Sequence, residues 1–320
     1  MAAVLGAAAW LAYGLLVPIG PKGQEKFVML RPGSSARHIA RDLKNAGMIR
    51  SAPALMVLHY WRGRPALKAG EYMFDHPADA RKVYDRIVAG DIYVHTVVIP
   101  EGYNIFDIAN TIQAAGLGSR EDFLTVARSD VSLISDLDPL APSLEGYLFP
   151  DTYEFTRTQS LHDMAAAMVK RFRQETRQLG LTTDFHRVVI MASIVEKETA
   201  VPTERPLVAG VFYNRLRRNI ILATDPSVIY AALLAGRYNG VIHQSDLQFD
   251  SAYNTYKHAG LPHGPICNPG RDSLQAAMQP TNSGFLYFVS DNNGHHRFAR
   301  TMEEHSRNVA AYRRSVTASR

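Results

Sequence analysis

The first 21 residues, MAAVLGAAAWLAYGLLVPIGP, carry no charge and show no polar face, and the first charged residue is Lys22. About 20 helical residues at 1.5 Å each cover the ~30 Å hydrocarbon core of a bilayer. The segment therefore predicts a transmembrane helix over 1–21, against two other readings, a cleaved signal peptide and a buried core helix. A signal peptide calls for a basic leading region, which Met1–Pro21 lacks. Lys22, Lys26 and Arg31 flank the segment downstream, and by charge alone they place the body in the cytoplasm. After this segment the pattern repeats at an offset of 69 residues. Phe27–Gly33 leads to Ile39, Ala40, Leu43, Gly47 and Met48, and Thr96–Gly102 leads to Ile108, Ala109, Ile112, Gly116 and Leu117. Each copy predicts a short strand, a Pro/Gly turn and a helix whose apolar positions recur three and four apart. Gly47 and Gly116 are placed to end those helices in a left-handed turn.

Further along, Val188–Val195 is apolar on nearly every face and ends abruptly in Glu196-Lys197-Glu198, with Pro202 beyond. This predicts a helix over Phe185–Thr199 inside a domain. Two residues turn a helix by about 200°, so Glu196 and Glu198 face opposite sides. A carboxylate at the buried end of such a helix is poorly solvated, holds its proton and suits proton donation. The alternative is that both glutamates leave the core for solvent, and periodicity does not choose between these readings. Thr224 or Asp225, followed by Pro226, predicts another helix start. Ser143–Tyr153 carries Glu145 and Asp151 among aromatics, and Tyr253–Tyr256 runs into a Gly/Pro loop.

Composition narrows the chemistry. With 320 residues, 46% hydrophobic and 20% charged, the chain is globular and long enough for two domains. A single cysteine, Cys267, excludes a disulfide framework and cysteine-based zinc sites. Net charge is +5, and Arg297–Arg320 holds six Arg against two Glu, so +4 of it lies in the tail. A basic tail on a near-neutral body suits an anionic surface but is weak evidence for a nucleic-acid-binding domain. The chain has no His-Glu-x-x-His, phosphate loop, Gly-x-Ser-x-Gly or dinucleotide fingerprint. His295 and His296 are neighbours, expected to point apart on any regular element, and Cys267 reads as an ordinary thiol, so neither a metal nor a cofactor is expected.

Taken in order, these blocks resemble the endolytic murein transglycosylases, the MltG or YceG-like proteins. The resemblance rests on Glu145–Thr152, Ala192–Ala200, Phe212–Leu216, Thr224–Tyr230, Ala252–Tyr256, Gly260–Pro262, Pro269-Gly270, Leu286–Ser290 and Glu304–Val309. It implies an α+β protein with a transmembrane anchor over 1–21, a LysM-like subdomain over 22–95 and a catalytic transglycosylase domain over 96–320. It implies a single-pass inner-membrane protein with its catalytic domain in the periplasm, against the literal charge count. The implied reaction is internal cleavage of nascent peptidoglycan strands between N-acetylmuramic acid and N-acetylglucosamine, leaving 1,6-anhydro ends, with peptidoglycan synthases as partners. One carboxyl group serves as acid and then base, and the motif places it at Glu198, with Glu196 as the alternative. Glu145, Tyr253, Asn254 and Glu196 are the expected substrate-binding residues. Two other readings remain. A muramidase would need a second carboxylate from Asp151, Asp225 or Glu145, and a scaffold protein would bind peptidoglycan without cutting it.

Overall fold

The computed structural model describes residues 1–318; Ser319 and Arg320, the end of the basic tail, lie outside the described residues. The protein is α+β and divides into two units, 1–97 with 153–160, and 98–152 with 161–320.

The first unit begins with α1 (Ala2–Leu16), followed by β1 (Lys26–Leu30), α2 (Ala36–Asn45), α3 (Ala52–Trp61), β2 (Gly70–Phe74), α4 (Ala80–Ala89) and β3 (His95–Val98). Helix α1 has 15 residues, shorter than the span predicted over 1–21. The reason is Pro18, whose ring disfavours helical backbone in the residue before it, and Val17 is extended at φ −83°, ψ 116°. Fifteen residues cover about 22 Å, and no helix among the described residues is long and apolar enough to cross a membrane. Helix α1 packs on α3 and α4. Gly14 permits the approach, because a Cβ there would lie 2.9 Å from that of Ala54. Arg50 closes its C-terminal end, donating to the carbonyls of Val17 (3.2 Å) and Pro18 (3.0 Å).

Strands β1 and β2 pair antiparallel, from Lys26 opposite Phe74 to Leu30 opposite Gly70. The alternation of β1 turns Val28 and Leu30 inward, onto Ile39 and Leu43 of α2, Leu55 and Leu58 of α3, and Val83 and Ile87 of α4. Ser35 caps α2 through the His38 N–H, and Asp79 caps α4 through those of Arg81 and Lys82. Strand β3 pairs with β4 (Thr152–Phe155).

The second unit contains α5 (Ile105–Ala114), α6 (Arg120–Ser129), α7 (Leu161–Leu179), α8 (Phe185–Glu198), α9 (Arg205–Arg217), α10 (Asp225–Leu234), the single turn α11 (Gln244–Leu247) and α12 (Arg271–Met278). The β5 (Tyr287–Ser290) and β6 (His296–Ala299) hairpin and α13 (Met302–Ala318) complete it. Both copies of the sequence repeat take the same form. Gly33 and Gly102 turn at φ 78° and 76°, and Gly47 and Gly116 end their helices at φ 73° and 67°. Helix α8 is central, buried from Val188 through Val195 and packed against α9, α10 and α12. The expectation of an interior helix is met, and it stops one residue short of Thr199.

Candidate active site

At the end of α8 the two glutamates part, as their spacing requires. Glu196 is buried against Arg205 of α9 (3.2 Å) and accepts the Gly270 N–H (3.0 Å) at the start of α12. The same Arg205 lies 3.7 Å from Glu101 and 3.5 Å from Asp272. Glu196 thus belongs to a clamp that holds helix ends together. Glu198 faces the other way, into a pocket of about 350 Å³ that Phe212, Arg215, Asp225, Tyr256, Tyr287 and His305 also line.

Burial is the main reason that the Glu198 carboxyl is pushed above its ordinary range. The nearby Asp225 charge acts in the same direction, while a hydrogen bond from Thr224 and the more distant charges of His296 and Arg215 act against it. The Thr224 contact is unusual for its place in the fold. Thr224 occupies the N-cap position of α10, yet its hydroxyl makes no cap and donates to Glu198 Oε1. The cap is given up to orient an acid. Behind it, the Thr224 N–H donates to Thr255 Oγ1 (3.0 Å), and Ser227 Oγ donates to the Thr224 carbonyl (2.7 Å). Asp225, the first residue of α10, accepts the Tyr256 hydroxyl proton at 2.6 Å. Burial, then Asp225, holds the Tyr256 phenol well above its ordinary value, so it remains a donor.

The other expected binding residues take different places. Glu145 is fully buried and accepts the Ile105 N–H (2.9 Å), the Tyr230 hydroxyl (2.8 Å) and Asn268 Nδ2 (2.9 Å). Burial pushes its carboxyl up to about 8 against the pull of the Ile105 and Tyr230 donors. Asn254 is also fully buried, donating to the carbonyls of Leu247 (3.1 Å) and Phe249 (2.8 Å) and accepting the Tyr256 N–H (3.0 Å). Tyr253 stands with its ring 5.0 Å from that of Tyr230 and 6.0 Å from His263. These three and Glu196 therefore do not line the pocket with Glu198. Asp151 pairs with Arg171 (2.5 Å). His295 and His296 do not point apart. Both bring Nδ1 to Glu204, at 3.1 and 2.7 Å, because His295 lies in the turn before β6, where strand alternation does not hold. Cys267 is buried with its thiol on the Ser193 carbonyl (3.3 Å), and burial holds the thiol protonated.

Sequence reasoning gave no part in the site to Arg215, Tyr287 and His305. They come from α9, the hairpin and α13, and no local pattern joins segments so far apart. The available signal was their presence in the Phe212–Leu216, Leu286–Ser290 and Glu304–Val309 blocks.

The model of the YceG-like family matches residues 28–311. The chain is 31% identical over 333 residues to the endolytic murein transglycosylase of Bacillus subtilis (strain 168), covering 97% of this chain and 91% of that protein. It is 31% identical to the endolytic murein transglycosylase of Streptococcus pneumoniae serotype 2, covering 93% of this chain and 60% of the longer relative. A 2.6 Å crystal structure of a yceG-like protein from Listeria monocytogenes is similar with a TM-score of 0.58 and 32% identity, covering 89% of this chain and 99% of that one.

Proposed function

The chain belongs to the YceG-like family, and from that premise we propose that it is an endolytic lytic transglycosylase of peptidoglycan with Glu198 as its acid and base. One observation carries the assignment to Glu198. It is a poorly solvated carboxyl, pushed by burial above its ordinary range, in a pocket lined by aromatic rings and hydroxyls, with a hydroxyl donor on Oε1. The protonated acid gives its proton to the glycosidic oxygen between N-acetylmuramic acid and N-acetylglucosamine as that bond breaks. Positive charge then develops at C1 of the muramic acid, beside Asp225. The Glu198 carboxylate, stabilised by the Thr224 hydroxyl, takes the proton of the C6 hydroxyl while O6 closes on C1. The product is a 1,6-anhydro end, and no water is consumed. Asp225 is the second carboxylate of the pocket, and a hydrolase would use it to activate water.

The rest of the chain supplies the setting. The strand–helix–helix–strand order of Lys26–Phe74, with its antiparallel strand pair, supports reading the first unit as a LysM-like glycan-holding module. The uncharged segment 1–21 is the membrane-associating part, with exposed Val4, Leu5, Trp10 and Tyr13 on α1. The protein acts from the inner membrane on the periplasmic side, beside the peptidoglycan synthases whose nascent strands it cuts.

The test uses the full chain in detergent, wild type and Glu198→Gln, with uncrosslinked glycan strands. Wild type is expected to shorten the strands from within, and the variant to lose about 10²–10⁴-fold in rate. Equal cleavage by both would move the acid elsewhere. Binding without cleavage by wild type would favour a scaffold.

A further inference from the structure

Beyond Glu198 the pocket has a second polar end that the chemistry above leaves unused. Arg215 reaches it from α9 and is half-buried. Its Nε donates to the Leu286 carbonyl and its Nη1 to the Leu222 carbonyl, both at 2.7 Å. Among the described residues Nη2 has no hydrogen-bond partner and no carboxylate stands within ion-pair distance of the guanidinium. Both Glu198 and Asp225 line the same pocket, so a cation is present there without being neutralised by direct contact. A partly desolvated guanidinium without a carboxylate is a costly arrangement that an anionic ligand would relieve.

His305 of α13 lines the pocket too, and Tyr287 joins the two. The Arg215 guanidinium lies 5.3 Å from the Tyr287 ring, and the His305 ring stacks on it at 5.2 Å with an interplanar angle of 23°. His305 Nδ1 is buried with no hydrogen-bond partner among the described residues. A buried N–H without an acceptor is rare, so the proton belongs on Nε2, which is left to donate to a ligand. Burial, then the Arg215 charge, holds the imidazole below its ordinary value and keeps it neutral.

We infer that Arg215 and His305 form a subsite for a carboxylate of the glycan substrate, carried on its muramic acid residues. This rests on the peptidoglycan reading and deepens it. Muramic acid differs from glucosamine by its lactyl ether, which ends in a carboxylate when bare and in an amide when it bears a stem peptide, itself ending in a carboxylate. A cation beside a neutral donor recognises either source, and it gives the enzyme a means to seat muramic acid, not glucosamine, with C1 at Glu198.

The test measures equilibrium binding by the full chain in detergent, in a Glu198→Gln background that stops turnover. Three probes are used: bare strands, strands with stem peptides, and bare strands whose lactyl carboxylates are converted to N-methylamides. Bare strands are expected to bind about tenfold more tightly than the methylamides, a ratio in the range of one charge-assisted hydrogen bond. Arg215→Met and His305→Phe should each bring the ratio toward one. His305→Phe retains the ring on Tyr287, so it decides the matter if loss of the two Arg215 carbonyl contacts unfolds the other variant. Stem-bearing strands binding like the bare ones would make the stem carboxylate a second source, and binding like the methylamides would leave the lactyl group as the source. Equal binding of bare and neutral strands, or a ratio unchanged in both variants, overturns the subsite. No binding of any strand overturns the peptidoglycan reading itself.

Discussion

At the residue scale the site depends on which form of Glu198 its neighbours favour. The Thr224 hydroxyl stabilises the carboxylate, and the Asp225 charge stabilises the acid. The proposed reaction requires Glu198 as the acid in the free enzyme, so on that proposal kcat/KM falls as pH rises through the raised Glu198 value. Thr224→Val removes the donor and is expected to move that descending limb to higher pH. Asp225→Asn removes the anion and is expected to move it lower. Opposite shifts in the two pH profiles support Glu198 as the titrating acid, and limbs that stay in place argue for another group. Thr224→Val should cost the fold little, since the hydroxyl makes no cap to α10. Glu145 plays the contrasting part, a carboxyl that titrates without touching the pocket. Its folded value, about 8, lies above the unfolded value of about 4.3. Its contribution to stability is therefore fully present below the unfolded value and is lost as pH rises through about 8. Unfolding free energy should decline across that window, and Glu145→Gln, neutral throughout, should flatten the decline in denaturant melts.

At the level of elements, periodic signals in the chain translated directly into structure. The repeat was legible because its apolar spacing and its glycines are both demanded by geometry, and Met48 and Leu117 donate back to Leu43 and Ile112 in equivalent turns. Gly47→Ala places a side chain at φ 73° with no neighbour within 4 Å, so it should cost about 1–2 kcal/mol from backbone conformation alone, checked by denaturant melts. Gly146 is more restricted, at φ 90° with Pro265 atoms 2.6 Å from a would-be Cβ. Gly146→Ala should cost more than Gly47→Ala. The opposed directions of Glu196 and Glu198 were legible for the same helical reason. The parts played by Glu145 and Asn254 were not, because a polar residue in a Tyr/Asn/Gly loop has the same composition whether it meets a sugar or ties off backbone groups. Only the fold shows Asn254 spent on the carbonyls of Leu247 and Phe249.

For the whole molecule, the chain forms two units, and the first takes in both the uncharged N-terminus and the distant stretch 153–160. The uncharged stretch was legible, but its helical length was not, since one proline ends α1 at Leu16. If segment 1–21 holds the protein at the membrane, deleting it should move the chain from the membrane to the soluble fraction on centrifugation, and an unchanged distribution would contradict that role. The pocket was the least legible feature, since Glu198, Arg215, Asp225, Tyr256, Tyr287 and His305 come from six separate stretches of chain. In the proposed reaction Glu198 drives an intramolecular displacement in which O6 of the muramic acid, not water, takes C1. The most direct measurement is cleavage of glycan strands in water labelled with heavy oxygen, with the new ends read by mass spectrometry. Unlabelled ends, lighter by one water than reducing ends, are the expected result. Labelled reducing ends would contradict it and make Asp225 the base of a hydrolase.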